Sequence, residues 1–204
     1  MNSKRILLSP PHMGGTELTY IAQAFQDNWI APAGPHIDLF ENRLVDFLDQ
    51  KSQVVALNSG TAAIHLGLQL LGVQKGDVVL CQSLTFIASV NPVLYLGATP
   101  VFIGSEKETW NLCPIALEEA ILNQLNKGIQ PKAIVVVHLY GMPAKMNEII
   151  TISKKYNIPI LEDAAEALGS SYTNQPCGTF GDFGVFSFNG NKIITTSGGA
   201  ALIC

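Results

Sequence analysis

Charge is what this sequence has least of. Of its 204 residues, 14% are Asp, Glu, Lys or Arg, against about a quarter in an ordinary soluble domain. Twelve basic residues face sixteen acidic ones for a formal net charge of −4. The basic surplus of a nucleic-acid binder is therefore missing. Cysteine is scarce: Cys81, Cys113, Cys177 and Cys204 form no CxxC pair and no His/Cys cluster with zinc spacing. They read as reduced thiols of a cytoplasmic protein. No basic stretch followed by an apolar one opens the chain, so a secretory signal is not expected. Long unbroken apolar runs are missing too. Residues 78–105 carry no charge, but Gln82, Ser83, Asn91, Pro92, Gly97 and Pro100 interrupt them. A spanning helix needs about 20 mainly apolar residues, so this stretch reads as strand, buried helix and strand rather than as a membrane segment.

What remains is 48% hydrophobic, enough for a sizeable core and too much for a disordered chain. Seven β-rich runs recur at 54–57, 78–82, 100–103, 133–138, 159–162, 185–188 and 200–204. Most are continuous rather than alternating, as in strands covered on both faces. Helical patterns lie between them at 61–71, 85–96, 114–126 and 144–156, and two amphipathic helices precede them at 16–28 and 36–48. The alternation predicts an α/β fold, a three-layer sandwich around a mainly parallel seven-stranded sheet. The last run ends the sequence, so either the chain is a fragment or that strand is a sheet edge.

In an open parallel sheet, ligands bind beyond the carboxyl ends of the strands. Asn58-Ser59-Gly60-Thr61 joins a strand to a helix, and its glycine, free amides and helix dipole suit a phosphate. It suits an N-cap and tight turn equally well. Glu162 and Asp163, at the end of the fifth run, are candidates as well; Asp163 is either a partly buried carboxylate that needs a cationic or hydrogen-bonding partner or a helix cap. Lys192 sits in a glycine-bearing loop after the sixth run among small and apolar residues. Desolvation there would free its amine as a nucleophile, and a solvated loop lysine is the plainer alternative. Phe86 could cover a planar ligand or fill the core. His138 ends a strand and lines the same edge, whereas His65 lies in an apolar helix as a structural residue.

Taken in order, the stretches PPHMGGTE near the start, DNWIAPAGP at 27–35, NSGTAAIHLGL at 58–68, EDAAEALGSSY at 162–172 and GTFGDFGVFSFNGNKIITTSGGA at 178–200 resemble one family. It is the DegT/DnrJ/EryC1/StrS sugar aminotransferases, which use pyridoxal phosphate on the fold-type I large domain. The resemblance implies that Lys192 binds the cofactor aldehyde and moves protons as the catalytic residue. It implies that Asp163 pairs with the pyridine nitrogen, and that Gly60, Thr61 and Ala62 receive the phosphate with support from Ser187. Phe86 would stack on the ring, and Glu166 would lie near the ring hydroxyl, where relatives often carry Gln. A dehydratase branch has histidine at the lysine position, so Lys192 favours amino transfer.

The expected reaction moves an amino group from glutamate to a nucleotide-linked keto sugar, at C4 of a deoxyhexose. The resemblance also implies a homodimer and a smaller C-terminal domain, which would be absent from a chain whose residues 1–204 form the N-terminal segment and the large domain. A catalytically silent remnant, acting only as a folding or dimerising unit, is the alternative. A generic Rossmann nucleotide binder ranks last, because no GxGxxG follows the first strand.

Overall fold

The computed structural model describes residues 5–48 and 50–204. Two helices come first, α1 (Glu17–Gln26) and α2 (Pro35–Leu48). Strand β1 (Val54–Leu57) then leads into α3 (Gly60–Leu70), β2 (Val78–Gln82), a 3-10 turn at Ile87–Ser89, the short α4 (Asn91–Tyr95) and β3 (Thr99–Ile103). Next come α5 (Pro114–Asn126), β4 (Ala133–Val137), a 3-10 turn at Leu139–Gly141, α6 (Met146–Tyr156) and β5 (Ile160–Asp163). A small hairpin, β6 (Ser171–Tyr172) and β7 (Gln175–Pro176), precedes β8 (Phe183–Ser187) and β9 (Ala200–Ile203).

The seven expected runs form one seven-stranded sheet in the order β1-β9-β8-β5-β4-β2-β3. Strands β3, β2, β4, β5 and β8 are parallel. Strand β9 runs antiparallel to both its neighbours, so β1 points the same way as β8. The carboxyl ends of β1, β8, β5, β4 and β2 therefore share one edge. Strand β9 is interior, paired with β1 on one side and β8 on the other, which corrects the reading of the last run as an edge.

Alternate residues divide the core in two, as the two-residue period of a strand requires. Val79, Cys81, Val135, Leu161 and Val185 face α3, with its Ala63, Ile64 and Leu68. Val78, Leu80, Ile134, Val136 and Ile160 face α5 and α6 through Leu117, Ile121, Met146 and Ile149. Helix α2 extends the second layer, its Leu44 and Leu48 packing with Phe186, Phe188 and Ala201. Strands β2, β4, β5 and β9 are buried along their whole length. The edge strands are not: Val55 and Phe102 are exposed.

One expected helix is corrected. Residues 85–96 do not form a continuous buried helix, because Pro92 lacks an N–H and its ring obstructs the carbonyl four residues earlier. Ile87–Ser89 makes one 3-10 turn, and the chain restarts as α4 with Pro92 in its first turn. Leu94 and Tyr95 point outward. The hairpin of β6 and β7 was not expected; Thr173 and Asn174 turn it in the left-handed region, where threonine is rarely found.

Candidate active site

Residues from five strand ends meet at the carboxyl edge. Ser59 caps α3, accepting the Ala62 N–H at 3.2 Å. A Cβ built on Gly60 would lie 3.3 Å from Ser187 Cβ, so the first turn of α3 abuts the end of β8 with little room to spare. The sequence left an N-cap and a phosphate cradle open. The cap is present, and the positive end of the helix dipole lies beside the Ser187 hydroxyl. That hydroxyl itself is reached by Asn189 N–H at 3.5 Å.

Asp163 closes β5 and is 5% exposed. Its Oδ2 accepts the Ser89 hydroxyl at 2.5 Å, and its Oδ1 accepts the Ala165 N–H at 3.2 Å. Burial raises its pKa, opposed by those two hydrogen bonds and by the Lys192 charge. Among the described residues, no cation stands within ion-pair distance of this carboxylate. Lys192 follows β8 in the loop, with its Nζ 3.2 Å from Glu166 Oε1. It is largely buried rather than the solvated loop lysine of the alternative reading. Glu166 Oε2 accepts the Tyr140 N–H at 3.0 Å. Phe86 is 74% exposed, so it is not a core phenylalanine, and it caps the turn that carries Ser89.

Sequence placed Glu162 beside Asp163 among the strand-end candidates without revealing its partners, and it did not single out Asn111. Glu162, adjacent to Asp163, points to the opposite face of the sheet and is completely buried. Its carboxylate accepts His138 Nε2–H at 2.8 Å and the N–H groups of Gly178, Phe180 and Gly181 at 2.8, 2.5 and 2.6 Å. His138 accepts the Ala144 N–H at Nδ1, 3.0 Å away. Its single proton therefore sits on Nε2, facing Glu162. His138 thus braces the edge from inside rather than lining the site.

Asn111, also fully buried, accepts the Leu139 N–H at 2.9 Å and donates to Met142 O at 2.8 Å. It fixes the turn whose Tyr140 N–H reaches Glu166. The signal available in sequence was only a polar residue inside an apolar stretch. No group of three metal-ligating side chains exists among the described residues, and no helix among them is long and apolar enough to cross a membrane.

Solved aminotransferases, one of them in its PLP form, share this three-layer α/β fold. The chain belongs to the DegT/DnrJ/EryC1/StrS aminotransferase family, whose profile matches residues 11–204. It is 55% identical over 200 residues to EpsN of Bacillus subtilis strain 168, a provisionally named pyridoxal phosphate-dependent aminotransferase, covering 98% of this chain and 51% of that protein. It is 40% identical over 200 residues to GDP-perosamine synthase of Escherichia coli O157:H7, covering 98% and 53%.

Among solved structures, the provisionally named sugar aminotransferase Spr1654 of Streptococcus pneumoniae in its PLP form superposes with a TM-score of 0.87 at 32% identity, covering 98% of this chain and 53% of that one. The chain spans about half the length of the curated relatives it matches.

Proposed function

We propose that this chain is the cofactor-binding half of a pyridoxal phosphate-dependent aminotransferase acting on a nucleotide-linked keto-deoxy sugar, with glutamate as amino donor. The observation that carries the reading is the pairing of unlike needs at one edge. Among the described residues no cation lies within ion-pair distance of a buried carboxylate, an amine held by Glu166 lies at the same edge, and a helix N-terminus faces a hydroxyl. Pyridoxal phosphate offers a protonatable ring nitrogen, an aldehyde and a phosphate to those three in turn. Names among the relatives, GDP-perosamine synthase included, support a nucleotide-linked sugar. As part of the same reading, residues 1–204 are the N-terminal segment and large domain, the small domain lies outside them, and the protein works in the cytoplasm as a homodimer. Exposed apolar side chains on α1, Leu18, Ile21 and Phe25, offer surface for a second copy.

In this reading Gly60, Thr61, Ala62 and Ser187 hold the phosphate, Asp163 the ring nitrogen, Lys192 the aldehyde carbon, Glu166 the ring hydroxyl and Phe86 one ring face. When bound, the cofactor supplies a carbonyl that amines condense with and a ring that accepts an electron pair from the substrate carbon. Asp163, shielded from water, keeps a proton on the cation that faces it. Lys192 must shed a proton before its amine can attack, and Glu166 is the acceptor within reach at 3.2 Å. Once released from the cofactor, Lys192 Nζ takes the proton from the substrate carbon and returns it one position away as general base and then acid.

Adding pyridoxal phosphate to the full chain should give a visible absorption band that borohydride removes and Lys192→Ala never forms. L-glutamate should bleach it, and a nucleotide-linked keto sugar should restore it. A band that glutamate leaves unchanged would overturn amino transfer.

A further inference from the structure

Asp163 owes its arrangement to a hydroxyl contributed by a residue far away in sequence. Ser89 is 1% exposed, and its hydroxyl stands 2.5 Å from Asp163 Oδ2. Thr85 Oγ1 lies 2.7 Å from the same Ser89 oxygen. We propose that Ser89, backed by Thr85, is a positioning residue for Asp163, fixing one carboxylate oxygen so that the other faces the ring nitrogen. This rests on the cofactor reading above.

The chemistry of a hydroxyl gives the pair a direction. Ser89 has one proton to donate. When Asp163 is ionised, that proton goes to Oδ2, and Thr85 must donate to Ser89. When Asp163 is protonated, the row can reverse. The two hydroxyls thus follow the charge of the carboxylate without leaving a buried polar group unpaired. The same turn also carries Phe86, whose carbonyl accepts the Ser89 N–H at 3.0 Å. One short segment therefore sets both the aromatic cover and the carboxylate. The break at Pro92 makes this possible, because a continuous helix would not place Ser89 at the end of a separate 3-10 turn.

The test compares the full chain with Ser89→Ala, Ser89→Thr and Thr85→Val, by carbon-13 NMR titration of the Asp163 carboxyl without cofactor and by pyridoxal phosphate titration of the visible band. Lys192 and His138 are the basic groups near enough to act on Asp163; they, and the Glu166 paired with Lys192, are unchanged in all variants. Ser89→Ala should move the Asp163 midpoint to higher pH and weaken cofactor binding about tenfold. Ser89→Thr should restore both, and Thr85→Val should shift them less in the same direction. An Asp163 midpoint in Ser89→Ala equal to that of the unaltered chain overturns the proposal whatever the cofactor does. A midpoint that moves in a chain that never captures cofactor overturns the cofactor reading instead.

Discussion

Glu162 and Asp163 are neighbours with opposite circumstances, because successive strand residues face opposite sides of a sheet. Glu162 is buried and fully supplied with donors, from His138 and from the backbone of Gly178, Phe180 and Gly181. Replacing one oxygen by an amide in Glu162→Gln would set donor against donor. The expected cost is about 3 kcal/mol, read as a lower urea midpoint. Asp163 is buried without a cation, so its folded-state pKa lies above the ordinary 3.8.

The sign for Asp163 follows from linkage. The folded chain keeps this proton to higher pH than the unfolded chain does, so its contribution is most favourable below 3.8 and is lost as pH rises through the folded value. Asp163→Asn removes that loss. In the cofactor-free chain the variant should gain on the unaltered chain as pH rises from acid to neutral, on the order of 1 kcal/mol, measured by denaturation at several pH values. The same substitution should weaken pyridoxal phosphate binding. The positions of Lys192 and Asp163 at the sheet's carboxyl edge were legible because each follows an apolar run; the roles proposed for them come from the family resemblance. Ser89 and Asn111 were not, and Glu162 was legible in position but not in role, since their partners are brought to them only by the folding of the chain.

At the scale of elements, the continuous runs announced the strands, and the interior strands β2, β4, β5 and β9 proved buried on both faces. Short pieces escaped notice for physical reasons. A two-residue strand has no periodicity to read, so the β6–β7 hairpin was invisible. The helix expected over 85–96 breaks at Pro92, whose missing N–H and ring outweigh the charge-free helical pattern around it. Strand β8 depends on a contact that no periodicity reveals: a Cβ built on Gly184 would overlap the carbonyl oxygen of Gly178. That contact brings the 178–181 segment against Glu162. Gly184→Ala should therefore destabilise the chain by about 3 kcal/mol, visible as a lower thermal midpoint.

At the scale of the molecule, sheet order converts scattered sequence motifs into a site. Strands β1, β8, β5 and β4 reach the same edge although they come from separate parts of the chain. The fold class could be read from alternation alone. The strand order could not, because it depends on which crossovers skip a place, and β9 at the end of the sequence lies inside the sheet. The apolar side chains exposed along α1 belong to this scale as well. If they meet a second copy, sedimentation equilibrium should return twice the mass of one chain, and Phe25→Asp should return a single mass.

The most direct measurement is peptide mapping by mass spectrometry after the chain is incubated with pyridoxal phosphate and reduced with borohydride. The expected result is one reduced pyridoxyl phosphate group on the peptide that contains Lys192, with Asp163→Ala lowering its yield. A label scattered over other lysines with none on Lys192 would contradict the assignment of this edge as a pyridoxal phosphate site.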